Sequence, residues 1–216
     1  MKKLLLIMLF FCGLNVAYAQ QESGFLLGAN VAYTFTTGDF KALNKNGIGV
    51  NLSGKYLINR VLGIGFESGY HPYKSKISDG QSVSQSMENS VIPFLAEATF
   101  YYPTWDRTLL PYFGIHFGGY LVRTKISQTG GLTVPGFTKT LNNFTFGGGP
   151  DIGVLIEVTE SIKLDLKLKG DYIPKIESRY TYQSASYGGN EQTYDGNIGF
   201  TKMLDFGCSV GLLYVF

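Results

Sequence analysis

The clearest candidates for chemistry in this sequence are a histidine and a carboxylate, His116 and Glu97, which lie on the same face of two adjacent predicted strands. A paired imidazole and carboxylate can exchange protons with a substrate, so the two residues form a candidate acid–base pair. The alternative is a histidine that only satisfies a buried carboxylate by hydrogen bonding. The sequence leaves both roles open.

Metal and cofactor chemistry has little support. The chain holds two histidines, His71 and His116, and the one cysteine beyond residue 12 is Cys208 on an apolar row. A metal centre needs a cluster of such ligands. The three glycines at 147–149 lie within a predicted strand and precede no helix, which argues against a phosphate-binding loop. We therefore expect no metal and no cofactor.

Charged residues collect on one face of the predicted strands, opposite the apolar face. If that face lines a confined lumen, opposite charges must pair and fill the space, because an unpaired charge there is costly. The candidate lumen charge network consists of Lys55, Glu67, Glu97, His116, Asp151, Glu157, Lys163, Asp165, Lys167, Lys169, Asp171 and Asp205. A tight turn at 159–161 would place Glu157 opposite Lys163 and Asp151 opposite Lys169.

The elements that must position these residues are strands, because apolar and polar residues alternate with a period of two nearly throughout the chain. Eight such segments occur, at 24–35, 48–58, 62–71, 92–102, 112–121, 144–158, 162–172 and 204–216. The connections between them alternate in length: those at 59–60, 103–108 and 159–161 are short, and those at 37–46, 74–89, 124–141 and 177–197 are long and polar. This layout is typical of an antiparallel up-and-down transmembrane barrel.

Composition supports the same class. The chain has 216 residues with 28 Gly, 16 Phe and 15 Tyr, 16% charged residues and a net charge of +2. A clustered basic surplus would be expected of a nucleic-acid-binding protein, and the two excess positive charges are Lys2 and Lys3 at the start. Nucleic acid is therefore excluded as a partner, and the high apolar content excludes disorder.

The first residues are predicted to be an export signal. Lys2 and Lys3 precede the apolar run Leu4 to Phe11, and Ala17-Tyr18-Ala19 has the small-x-small form of a cleavage site. We expect residues 1–19 to be a signal peptide and residues 20–216 to be one barrel domain.

Alternation alone does not decide which face points outward. A soluble periplasmic lipocalin-like barrel would pack its apolar face inside, whereas a membrane barrel turns that face to lipid. Aromatic residues near the strand ends favour lipid, as in interfacial girdles, and the glycine-rich polar face suits a narrow lumen.

The last eight residues, SVGLLYVF, resemble the β-signal of outer-membrane proteins, with Ser209, Gly211, Tyr214 and Phe216 in its four defined places. Together with the signal peptide and eight strands, they make the chain similar to the small outer-membrane β-barrel domain family, such as the transmembrane domain of outer membrane protein A. The resemblance implies the cell outer membrane as location, lipid and lipopolysaccharide as surroundings, and the barrel assembly machinery as a partner during biogenesis.

The lipid A deacylases of this architecture carry a serine two residues after the histidine, whereas here His116 is followed by Phe117 and Gly118. An eight-stranded barrel is also too narrow for an open pore. We therefore expect a non-enzymatic protein with a plugged polar lumen, which serves envelope structure or binds a surface ligand through four long extracellular loops. A lipid A-modifying enzyme or narrow channel is the alternative. Loop residues proposed to contact lipopolysaccharide or a surface partner are Phe40, Lys41, Lys74, Lys76, Arg179, Tyr180 and Tyr182.

Overall fold

The structure, a computed structural model, describes residues 24–37, 40–41, 44–74, 85–102, 108–128, 137–185 and 191–216. Its strands are β1 (Gly24–Thr36), β2 (Gly47–Leu57), β3 (Leu62–Lys74), β4 (Gln85–Tyr101), β5 (Leu109–Gln128), β6 (Phe137–Thr159), β7 (Ile162–Ala185) and β8 (Glu191–Val215). The expected signal peptide and the turn at 103–107 lie outside the described residues.

Each strand pairs with the next in antiparallel order, and β8 pairs with β1, so the sheet closes into a barrel. At this seam Leu26 pairs with Val215 and Thr36 pairs with Asp205. Over the closed part of the sheet, every strand has two neighbours, so that part lacks the unpaired edges that an open sheet would have. The predicted fold class, an all-β eight-stranded up-and-down barrel, is confirmed.

The apolar face of every strand points outward. Leu52 and Phe117 are 68% and 63% exposed, whereas the charged Glu67 on the other face is fully buried. A soluble barrel with an apolar interior would show the opposite pattern. The lipocalin-like alternative is therefore wrong.

Outward aromatic side chains form two girdles. The girdle near the short turns comprises Phe25, Tyr56, Phe100, Tyr102, Tyr214 and Phe216, and the girdle near the long connections comprises Tyr33, Phe35, Tyr70, Phe144, Phe146, Tyr172 and Phe206. Some neighbouring rings within each girdle pack edge to face, such as Tyr33 with Phe35 at 4.8 Å and Tyr214 with Phe216 at 4.7 Å. Aromatic rings at these two levels suit the two membrane interfaces.

Strand continues into three of the four connections expected as long loops. β4 begins at Gln85, β5 and β6 continue through 124–128 and 137–141, and β7 and β8 pair as far as Ala185 opposite Glu191. The sequences of these extensions are mostly polar, so the period of two that marks a half-buried strand is absent. The connection at 37–46 instead contains a helical turn at Phe40 and Lys41. No helix in the described part of the chain is long and apolar enough to cross a membrane.

Candidate functional site

The lumen of the barrel is closed by apolar side chains near both ends. Near the short turns, a turn-end cluster is formed by Leu26, Tyr101, Tyr112, Leu155 and Leu213. Near the long connections, a loop-end cluster is formed by Phe40, Tyr73, Val91, Leu95, Tyr120, Val122, Ile173 and Met203. Neither cluster was predicted from the sequence, because most of these residues are single apolar side chains on otherwise polar strand faces.

Between the two clusters lies a continuous chain of ion pairs. Lys55 Nζ is 3.0 Å from Glu97 Oε2, and Glu97 Oε1 is 3.7 Å from Lys167 Nζ. Lys167 also binds Glu67, whose other oxygen lies 2.7 Å from Lys169 Nζ. These pairs cross the lumen, because Glu67 is on β3 and the two lysines that contact it are on β7. They therefore link opposite walls of the barrel.

His116 connects this chain to two further carboxylates. Its Nε2 lies 2.9 Å from Asp171 Oδ1, and its Nδ1 lies 3.5 Å from Asp151 Oδ1. Asp171 also accepts a hydrogen bond from Tyr120 at 2.5 Å and lies 3.7 Å from Lys169. The imidazole is completely buried.

The proposed acid–base pair of Glu97 and His116 does not form. The two residues lie on the inner face of adjacent strands, as predicted, and the structure places them directly opposite one another on β4 and β5. Glu97 instead contacts Lys55 and Lys167, and His116 contacts Asp151 and Asp171. Longer side chains reach across the lumen to the opposite charge, so adjacency in register does not decide the partner.

The register predicted for the β6–β7 hairpin is observed, with Glu157 opposite Lys163 and Asp151 opposite Lys169. The first two charges meet at 3.2 Å. Lys169, however, binds Glu67 and Asp171, and Asp151 lies beside His116. The predicted ion pair between Asp151 and Lys169 is therefore wrong, although their backbone pairing is right.

The remaining two acids in the network accept hydrogen bonds from tyrosines. Tyr112 donates to Asp165 at 2.7 Å, and Tyr73 donates to Asp205 at 3.3 Å. Both tyrosines belong to the apolar clusters, so each ring packs in a cluster while its hydroxyl reaches the charged layer. All twelve residues of the predicted lumen charge network are buried or half-buried on the inner face.

Glycines on the inner face leave room for these side chains. Gly114 is opposite Asp151, and a Cβ added to it would lie 2.5 Å from the Asp151 carboxylate. Gly153 is opposite Tyr112, and a Cβ there would lie 2.5 Å from the phenol oxygen. A glycine facing a large side chain across the strand pair lets the narrow lumen hold the network.

A small cavity of about 40 Å³ remains above the charged layer, lined by residues that include Asp171, Asp205, His71 and Tyr73. Phe40, from the helical turn, is fully buried and packs edge to face on Tyr73, one of the lining residues, at 5.2 Å. Phe40 is therefore not available to a surface partner, and that prediction is wrong.

The other residues singled out from sequence fall in several places. Lys41 and Lys74 are exposed, Lys76 lies outside the described residues, and Arg179, Tyr180 and Tyr182 belong to the extended part of β7. Ser209 and Gly211 point into the barrel, while Tyr214 and Phe216 point outward. Among the described residues, no group of three or more His, Cys, Asp and Glu side chains is placed to hold a metal ion.

Solved structures with a similar fold include a bacterial surface protein, an attachment protein and an outer membrane protease. Neisserial surface protein A has 19% identity and a TM-score of 0.57, and the match covers 91% of this chain and 100% of that chain. The attachment invasion locus protein Ail of Yersinia pestis has 13% identity and a TM-score of 0.51, with the same coverage. The outer membrane protease OmpT of Escherichia coli has 7% identity and a TM-score of 0.54, covering 92% of this chain and 98% of that chain.

At these identities the likeness concerns the fold alone. No curated protein sequence matches the chain significantly. The family model described as "Outer membrane protein beta-barrel domain" matches residues 4–198. This match, the lipid-facing apolar surface and the closed eight-stranded sheet agree: the chain belongs to the outer membrane protein beta-barrel domain family and resides in the cell outer membrane, surrounded by its lipids.

Proposed function

We propose that this protein is a non-enzymatic outer-membrane barrel that is closed to transport and binds a surface partner through its extended hairpins. The observation that carries the proposal is the division of the molecule into a filled lumen and strands that continue far beyond it. The long connections face the cell exterior in this proposal, as is usual for such barrels.

The lumen supports a role other than transport. A solute moving along the axis would have to displace the turn-end cluster, separate the ion pairs of Glu67 and Glu97, and displace the loop-end cluster. Breaking buried ion pairs in this way is costly. The narrow-channel alternative therefore has little in its favour.

Enzymatic activity has weaker support. One neighbour in fold is a protease by name, but a likeness at 7% identity does not transfer its activity. His116, the histidine of the charged network, has no exposed surface and is held by two carboxylates. A lipid or peptide substrate outside the barrel does not reach it.

The extended hairpin of β7 and β8 favours a binding role. β1 ends at Thr36, opposite Asp205 of β8. The part of β8 that precedes Asp205, from Glu191 onward, pairs with β7 on one side. On the other side of β8, residues 191–203 pair with no strand in the part of the chain that the structure describes. A free strand edge offers backbone donors and acceptors to an extended peptide.

We also propose that residues 1–19 are removed on export and that Ser209, Gly211, Tyr214 and Phe216 direct assembly by the barrel assembly machinery. The signal-like composition of the first segment and the outward Tyr214–Phe216 pair support these roles.

The binding proposal is tested by shortening the hairpin. Residues 178–198 would be replaced by an Asn-Gly turn between the paired residues Glu177 and Gly199. An arrayed library of ten-residue peptides would then be screened against the full chain and the shortened chain in nanodiscs. We expect peptides that bind the full chain and not the shortened one. Equal binding to both, or hydrolysis of lipid A or peptides by the purified protein, would contradict the proposal.

A further inference from the structure

Exposed charged side chains are distributed unequally between the two ends of the barrel. Among the residues that the structure describes, those at the long-connection end are Lys41, Lys45, Lys74, Arg123, Lys125 and Glu88. At the short-turn end they are Arg60 and Glu160. The first end therefore has five bases to one acid, and the second end is balanced.

The excess of basic residues at one end balances the excess of acidic residues in the lumen. The predicted network has four lysines and seven carboxylates, all buried or half-buried, although the chain beyond its first residues is neutral. The compensating positive charge therefore lies outside the lumen. A one-sided basic surface next to a membrane indicates an anionic ligand on that side.

Four of these bases lie close together and form what we call the basic patch: Lys45, Lys74, Arg123 and Lys125. Lys74 is directly opposite Glu88, and Glu88 is directly opposite Lys125. The two lysines are thus two strand spacings apart, about 10 Å. The backbone hydrogen bond from Lys45 N to Lys74 O, at 2.8 Å, brings Lys45 beside them.

Arg123 is held in place within the patch. Its Nε donates a hydrogen bond to Asn142 Oδ1 at 3.1 Å across the β5–β6 pair. The terminal nitrogens of the guanidinium carry the remaining donors, in a geometry that matches the oxygens of a phosphate.

The patch lies just above the aromatic girdle of the same end. Tyr70 precedes Lys74 by four residues on the same face of β3, and Asn142 precedes Phe144 by two residues on β6. At about 3.3 Å per residue, the bases lie about 7–13 Å beyond the rings, at the height of lipid headgroups. A ligand there could place acyl chains against the rings and phosphate groups against the bases.

We propose that the basic patch binds the phosphate groups of the phosphorylated glycolipid of the outer leaflet, lipopolysaccharide. The proposal rests on the orientation given in the proposed function, in which this end faces the exterior. Glu88 reduces the attraction between the patch and a phosphate, because its carboxylate is 3.9 Å from Lys125 Nζ. Both side chains are largely exposed, so this ion pair is weak and a phosphate can displace Glu88.

The test measures binding of bisphosphorylated lipid A to the purified chain in phosphocholine nanodiscs by native mass spectrometry. The triple variant Lys74→Gln, Arg123→Gln, Lys125→Gln is compared with Arg60→Gln at the opposite end. Each basic residue near a membrane surface contributes about a fivefold change in affinity, so the triple variant should bind about a hundredfold more weakly. Arg60→Gln should bind like the unaltered chain, and Glu88→Gln should bind more tightly.

Three results would overturn the proposal: a loss below threefold in the folded triple variant, an equal loss in Arg60→Gln, or equal binding of dephosphorylated lipid A. Full competition by millimolar inorganic phosphate would also overturn it, because the site would then take a free anion. The chain shortened at 178–198 retains the patch and should bind lipid A normally. Failure of the peptide-binding proposal and failure of this one are therefore distinguishable.

Discussion

Glu67 holds two lysines at the centre of the barrel, because one oxygen binds Lys167 and the other binds Lys169. It is fully buried, so no solvent replaces it when it is lost. Replacing it by the isosteric Gln should destabilise the barrel by about 3–5 kcal/mol, since two buried cations lose their shared anion. Urea unfolding in detergent micelles measures this change.

The matched control is Glu157→Gln. Glu157 also pairs with a lysine, Lys163 at 3.2 Å, but both side chains are partly exposed. Replacing Glu157 should lower the free energy of unfolding by about 0–1 kcal/mol. Equal losses for the two variants would show that Glu67 is accessible to water and that the ion pairs do not hold the walls together.

A second prediction concerns the true partner of Asp151. The double-mutant cycle of Asp151→Asn with His116→Gln should give a coupling energy of about 0.5–3 kcal/mol, as for residues in contact. The cycle of Asp151→Asn with Lys169→Met should give a smaller value, because Lys169 binds Glu67 and Asp171. A larger coupling energy in the Lys169 cycle would show that Asp151 interacts with Lys169, as the register predicts.

These residues show what the sequence can and cannot predict at this scale. A period of two assigned the twelve residues of the lumen charge network to the inner face, since one face of each strand had to meet lipid. The ion-pair partner of each charged side chain was not predictable in the same way. Glu67 and Lys167 are 100 residues apart and lie on opposite walls, and nothing in a strand pattern reports contacts across a lumen.

At the scale of elements, the strands inside the membrane were predictable and their extensions were not. Within the bilayer each strand has one apolar face, which produces the alternation. Beyond it, stretches such as 177–185 and 191–197 keep their backbone pairing, although their sequences are polar at most positions. Polar runs were therefore assigned to loops although they form a hairpin.

The helical turn at Phe40 and Lys41 was missed for a related reason. A phenylalanine in a polar connection resembles a surface anchor, but here it is inserted into the mouth of the barrel. Asn44 supports the turn by donating to Phe40 O at 3.1 Å, and Asn89 donates to Asn44 at 2.7 Å. Only the closed barrel supplies the pocket that this ring fills.

The third prediction concerns the seam between β8 and β1. Phe216 N donates to Phe25 O at 2.9 Å, and the Phe216 ring contacts the rings of Phe25 and Tyr214. Phe216→Ala should lower the fraction of chain assembled in the outer membrane, because the proposed assembly signal and the last contact of the seam are both lost. Heat-modifiable migration on gels measures that fraction.

Phe206→Ala is the control, because Phe206 faces lipid on the same strand but stands outside the proposed signal. It should assemble normally. If both variants assembled equally well, the role proposed for Ser209, Gly211, Tyr214 and Phe216 would be refuted.

At the scale of the whole molecule, the charges are partitioned by location. Acids exceed bases inside the lumen, and bases exceed acids at the long-connection rim among the described side chains. The acids inside are held by lysines, by His116 and by the hydroxyls of Tyr73, Tyr112 and Tyr120. The barrel thus combines a lumen filled by paired charges with a basic rim, where we propose that binding occurs.

The most direct test of the closed lumen is the electrical conductance of the purified, folded protein in planar bilayers. With an apolar cluster at each end and ion pairs between them, the protein should give no steady current above that of the bare membrane. Sustained channels in the nanosiemens range, present in the unaltered chain and changed by Glu67→Gln, would show that ions pass along the axis and would contradict the account.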